Sequence, residues 1–133
     1  MFRRACFNVL AHNRDDHTRN FALLMDERGQ WRPSPAYDLT LSHGPGGEHA
    51  MLVGRAGADP TDADLLELAE EVDLKRPRRI LDEVRAAVSR FARHADEAGL
   101  PTRTRQEVAR ALGVAGSAVR RAERKTTSRR PRR

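Results

Sequence analysis

At 133 residues, with 38% hydrophobic and 33% charged side chains, the chain has material for one modest core and is not a miniprotein that needs covalent staples. Its single cysteine, Cys6, excludes an internal disulfide, and no apolar run has the length of a membrane span or the form of a signal peptide, so a soluble cytoplasmic protein is expected. The net charge of +6 is unevenly placed: residues 1–100 hold 14 basic and 17 acidic side chains and residues 101–133 hold 11 and 2, which excludes a generally basic body and leaves a basic tail able to touch nucleic acid.

In chain order, residues 2–12 read as an amphipathic helix with Phe2, Cys6, Val9 and Leu10 on its apolar face, which makes Cys6 a core thiol rather than a nucleophile. A polar loop, 13–20, follows. Phe21–Met25 and Gln30–Arg32 flank the turn "DERG" as a hairpin, and Pro33 and Pro35 are expected to stop its ladder and release Tyr37, Asp38 and Leu39 as loop. The stretch "SHGPGGEHA" lacks the downstream lysine and hydroxyl residue of a phosphate loop and reads as a flexible excursion carrying His43 and His49. Thr61 and Asp64 form a capping box for a helix whose apolar face is Leu65, Leu66, Leu68, Ala69 and Val72. Pro77 opens a longer helix, with Ile80, Leu81, Val84, Ala87, Val88 and Phe91 at helical spacing and Gly99 as its stop. Residues 104–125 are helical again, from a capping box of Thr104 and Glu107, and "KTTSRRPRR" is tail. The fold class expected is mainly α with one small β-hairpin, divided at residues 1–101 and 102–133.

The polar loop and the hairpin hold the candidate chemistry. A phosphoryl-transfer site needs carboxylates and amides to hold Mg²⁺ and one carboxylate to take the proton of the attacking hydroxyl. In the protein-kinase catalytic loop that Asp lies five residues before a metal-binding Asn, the spacing of Asp15 and Asn20. Pairing of 21–25 with 30–34 would bring the hairpin's two ends to roughly 5 Å, one strand spacing, so that Asn20 and Asp38 face one ion. A zinc site built on His12 and His17 is a poor rival, because five-residue spacing does not share a helical face and no cysteine pair joins them. No Gly-x-Ser-x-Gly elbow suggests a serine nucleophile.

The segment "FNVLAHNRDDHTRNFALL", with its D-x-H-x-x-N core, followed by a hairpin and "WRPSPAYDL" with Pro-x-Tyr-Asp, resembles the HipA-type kinase toxins of bacterial toxin-antitoxin systems. An acidic helix and a Pro-led helix ending in "EAGLP" extend the resemblance over roughly residues 2–101. The resemblance implies the C-terminal lobe of a serine/threonine protein kinase with ATP and Mg²⁺ as cofactors. It makes Asp15 the catalytic Asp, Asn20 a Mg²⁺ ligand and Asp38 the metal-binding Asp. His17 matches the family's loop histidine and joins Asp15 in the catalytic loop, as a hydrogen-bonding partner rather than a base. Arg19 stands where Lys is common, as a phosphate- or nucleotide-binding side chain, and Asp16 falls at a variable position. A protein substrate in the translation machinery and a DNA-binding antitoxin are the implied partners. No lysine precedes the loop, so the chain is expected to be a truncated lobe that is inactive alone.

A reading from another class comes from "RQEVARALGVAGSAVRRAERK", which resembles a helix-turn-helix with Gly113 at its turn and Val108, Leu112, Val114 and Val119 as apolar partners. Arg120, Arg121 and Arg124 would then neutralise phosphates, and deletion of residues 102–133 would remove nucleic-acid affinity.

Overall fold

The structure, a computed structural model, describes residues 1–114. Those residues form five α-helices and one two-stranded sheet in the order α1 (Phe2–Leu10), β1 (Leu23–Met25), β2 (Trp31–Pro33), α2 (Asp62–Glu71), α3 (Pro77–Ser89), α4 (Phe91–Glu97) and α5 (Thr102–Ala111). The mainly helical class with a small hairpin is therefore observed. The chain divides into two compact units, Met1–Ala86 and the residues from Ala87 onward. No described helix is long and apolar enough to cross a membrane.

In the first unit, burial selects one face of each helix. Cys6 and Val9 of α1, Leu65 and Ala69 of α2, and Leu81 and Val84 of α3 are the buried apolar side chains, joined by Val53 from the loop before α2. Burial pushes the Cys6 thiol up to about 11, so it stays protonated and behaves as a small apolar group. Ion pairs dress the rims: Arg3 bonds Glu83 at 2.7 Å, and Arg85 bonds Asp62 at 2.6 Å.

Helix ends explain where the expected boundaries move. α1 stops at Leu10 rather than at residue 12 because His12 turns into the left-handed region at φ +50°, where the amides of His12 and Asn13 bond back to the carbonyls of Val9 and Asn8. α2 begins with the expected capping box, Thr61 and Asp64 each satisfying the other's amide. It ends through Asp73 at φ +46°, which turns Val72 out of the core to 66% exposure and corrects its place on the apolar face.

The hairpin pairs Leu23 with Pro33, Leu24 with Arg32 and Met25 with Trp31. Asp26 organises the turn: its carboxylate accepts the amides of Arg28 and Gln30, and Gly29, at φ +76°, supplies the left-handed residue that such a three-residue loop requires. Pro33 does not stop the ladder as expected, for the Ser34 amide still donates to the Ala22 carbonyl at 2.9 Å. Pro33 sits at a position whose nitrogen faces away from the partner strand, where a missing N–H is harmless.

In the second unit, α4 packs against α5, and Ala95 and Ala109 are their buried residues. The single long helix expected from Pro77 to Gly99 is broken at Arg90, whose amide closes a short turn onto the Ala87 carbonyl before α4 restarts. Gly99 is the stop as expected: at φ +65° it bonds Asp96, and Leu100 bonds Ala95. α5 starts at Thr102, so Thr104 lies inside the helix and caps nothing. The helix ends at Ala111, with Gly113 at φ +66°. The second helix of the helix-turn-helix pattern, with Val119, Arg120, Arg121 and Arg124, lies outside the described residues.

Candidate functional site

The loop after α1 is built on buried polar side chains. Asn8, in the last turn of α1, accepts from the Asn13 side chain at 3.0 Å, and both residues are almost wholly enclosed. Asn13 also pairs with Ser42 as an isolated bridge, where the Ser42 amide bonds the His12 carbonyl and the Arg14 amide the Ser42 carbonyl. The loop is thereby tied to the stretch beginning at Ser42, which is ordered against it rather than the flexible excursion expected from its glycines.

That stretch wraps the loop. Arg14 donates to the Gly47 carbonyl and to Asp59, each at 2.5 Å. Gly44 lies so close to Arg14 that a β-carbon there would meet the Arg14 Cβ at 2.9 Å and overlap the Glu48 carbonyl, and its φ of +64° independently favours glycine. Asp16 is the centre of the arrangement. Its carboxylate accepts the amides of Ala50 at 2.8 Å and Met51 at 3.2 Å and meets His49 Nδ1 at 3.0 Å. With only 5% of the Asp16 side chain and 2% of the His49 side chain exposed, this is a buried acid–imidazole pair. Two expectations are corrected here: Asp16 is the anchor of the loop, and His49 is held rigidly, because a carboxylate taken out of water must be met by donors and the 49–51 backbone supplies them.

Asp15, next in sequence, points the other way. Its carboxylate is half exposed, with His17 Nε2 3.6 Å away, while its main-chain carbonyl accepts from Asn20 Nδ2 at 2.9 Å. Asn20 is buried at the end of a 3₁₀ turn, Thr18–Asn20, and with Nδ2 committed to Asp15 its Oδ1 is the atom left to hold a cation. His17 Nδ1 is buried and bonds nothing, so the ring's position comes from packing and from the approach to Asp15. Arg19 is exposed, and its carbonyl takes the Tyr37 hydroxyl at 2.7 Å. That bond brings the Tyr37–Asp38 segment to the end of the loop 13–20. Asp38 follows with an exposed side chain and a left-handed φ of +53°.

The structure therefore gathers Asp15, His17, Arg19 and Asn20 on one turn and fastens the residue before Asp38 to it. It adds three residues that sequence reading passed over, Asp16, His49 and Arg14. The only advance signal for these was an extra acid beside Asp15 and a histidine within a glycine-rich run. Among the described residues no group of three or more His, Cys, Asp or Glu side chains is placed to hold a metal. His12, in the turn leading into the loop, is held below its ordinary value by burial and then by the Arg14 charge.

A family model described as the HipA-like C-terminal domain matches residues 1–92, which include the loop, the hairpin and the Tyr37–Asp38 segment, and the chain belongs to that family. No curated protein and no solved structure matches it.

Proposed function

We propose that this HipA-like C-terminal domain is the helical lobe of a serine/threonine protein kinase, in which Asp15 takes the acceptor proton and Asn20 and Asp38 hold Mg²⁺. The observation that carries the reading is the hydrogen bond from Asn20 Nδ2 to the Asp15 carbonyl, which couples the orientation of a metal ligand to that of the carboxylate five residues before it. Asn20 Oδ1 and the Asp38 carboxylate are hard oxygen donors of the kind Mg²⁺ prefers. The ion, when bound with ATP, supplies charge neutralisation on the β- and γ-phosphates.

The chain's own residues supply the rest. The exposed Asp15 carboxylate is free to accept a hydrogen bond from a serine or threonine hydroxyl, and the loop's buried underside prevents it from drifting as the hydroxyl approaches. The hydroxyl oxygen bonds to the γ-phosphorus as the bond from that phosphorus to the β–γ bridging oxygen breaks. The hydroxyl proton passes to Asp15, and ADP departs. Arg19, exposed beside Asn20, is placed to pair with phosphate, although a guanidinium binds it in a planar fork rather than as the point charge of a lysine. The first lysine of the chain is Lys75, after the loop and the hairpin, so on this reading the residues of the loop and hairpin supply the acceptor and metal side of the site, without a strand lysine before them. On the same reading, its partners are a protein acceptor in the translation machinery and a DNA-binding antitoxin, and it acts in the cytoplasm.

Calorimetric titration of the 133-residue chain with a non-hydrolysable ATP analogue, with and without Mg²⁺, tests the reading. Metal-dependent binding that disappears in Asp38→Ala is the expected result. Binding that ignores Mg²⁺, or that survives Asp38→Ala unchanged, sinks it.

A further inference from the structure

The two residues proposed to hold the cation lie eighteen residues apart in sequence, and a site made of two segments works only if something holds their separation. Arg4, on α1, touches both. Its guanidinium lies 4.4 Å from the ring centre of Phe21, the residue after Asn20, and 5.4 Å from that of Tyr37, the residue before Asp38. Its Nη2 donates to the Tyr37 carbonyl at 3.0 Å, fixing the peptide that leads into Asp38. On the far side of the same ring, the Tyr37 hydroxyl donates to the Arg19 carbonyl, adjacent to Asn20.

We propose that Arg4 is a positioning residue, a planar cation seated on Phe21 and Tyr37 that sets the backbone of Asp38 against Asn20. The claim rests on the metal-site reading above for its purpose, but not for its geometry. A guanidinium suits the task because it can stack on two aromatic faces while its edge donates a hydrogen bond, whereas an ammonium offers no plane to stack. Asp38 makes the need plain. Its φ of +53° is uncommon for a residue with a β-carbon, though aspartate adopts it more readily than most, and it is a conformation that the contacts around it help to hold. The bonds at Tyr37 are what the structure places immediately before it.

The test uses the full chain and Mn²⁺ alone as a paramagnetic probe, read by NMR. In the native chain, Mn²⁺ should broaden the amide signals of Asn20 and Asp38 together, and Asp38→Asn should remove the effect. Arg4→Met keeps an unbranched stem for packing and removes the plane and the donor. It should move the Asp38 backbone shifts away from left-handed values and weaken Mn²⁺ binding roughly tenfold, the range known for residues that orient ligands without touching the ion. Arg4→Lys should not restore either signal. Tyr37→Phe, which keeps the ring and loses only the bond to Arg19, should give a smaller change in the same direction and serves where Arg4→Met fails to fold. Arg4→Met, or in its place Tyr37→Phe, with native Asp38 shifts and native Mn²⁺ broadening overturns the proposal. Native chain that ignores Mn²⁺, combined with displaced Asp38 shifts in the Arg4 variant, instead removes the metal reading and leaves the positioning role standing.

Discussion

The loop 13–20 and the hairpin 21–34 are consecutive in the chain and are held by opposite physics. In the loop, Asn13, Asp16 and Asn20 are buried and all polar, and each makes at least one hydrogen bond to the backbone or to another polar side chain, although Asn13 Oδ1 is left without a partner. In the hairpin every strand residue is exposed, although Leu23, Met25, Trp31 and Pro33 share one apolar face. Burial here follows hydrogen-bond satisfaction rather than hydrophobicity. A carboxylate met by the amides of Ala50 and Met51 and by His49 can be enclosed, while apolar side chains on a two-stranded ribbon have no second layer to cover them.

The comparison breaks first at Asp16. Asp16→Ala leaves His49 and the amides of Ala50 and Met51 without their acceptor and should cost about 3 kcal/mol, a loss visible as a large fall in Tm. An unchanged Tm would mean the stretch after Ser42 does not clasp the loop. Gly44→Ala attacks the same clasp from the other side. It combines a left-handed φ with overlap at the Glu48 carbonyl, for which about 2 kcal/mol of destabilisation is expected in chemical denaturation. A neutral result would place Gly44 away from Arg14.

The contrast sharpens within the loop itself. Asn20→Ala removes a bond to the Asp15 carbonyl and should cost about 1 kcal/mol, whereas Asp15→Ala, at a half-exposed carboxylate, should change stability by less than about 0.5 kcal/mol while removing phosphoryl transfer in a reconstituted kinase. Equal stability losses would show that Asp15 is structural. On the hairpin, Trp31→Ser should leave the unfolding midpoint nearly unchanged, within about 0.5 kcal/mol, since the indole is 65% exposed. The smallest effect concerns pH. Burial, followed by the Arg14 charge, holds His12 below its ordinary value of 6.5, so the unfolded chain takes up this proton more readily than the folded one. Its contribution is present above about pH 6.5 and is lost as pH falls through that value. Tm measured from pH 8 to 5.5 should fall more steeply in the native chain than in His12→Asn, a residue that also tolerates φ of +50°.

Much of the helical scaffold was legible because its signals are local. The Thr61–Asp64 box, Pro77 at the start of α3 and Gly99 at the end of α4 each act within a few residues of themselves. The departures also have local causes that no periodicity carries. His12 and Asp73 took the left-handed ends normally given to glycine, and Arg90 broke a helix whose apolar spacing ran on undisturbed. The site was half legible. Asp15, His17, Asn20 and the Tyr37–Asp38 pair stand out because their spacing is a pattern in one dimension. Arg4, Asp16 and His49 do not, because their hydrogen-bond partners lie 33 or more residues away along the chain.

The amino-acid sequence by itself determined the element types, the Thr61–Asp64 cap, the hairpin and the spacing of the loop's candidate side chains, since each depends on neighbours within about one turn of helix or strand. Only the tertiary structure decided which of two adjacent aspartates is buried and which faces solvent. Asp15 and Asp16 are chemically identical, and what separates them is where the amides of Ala50 and Met51 and the ring of His49 arrive. Desolvating a carboxylate is tolerable only on the side where such donors converge, and no property of two neighbouring residues reveals that side until the chain has closed on itself.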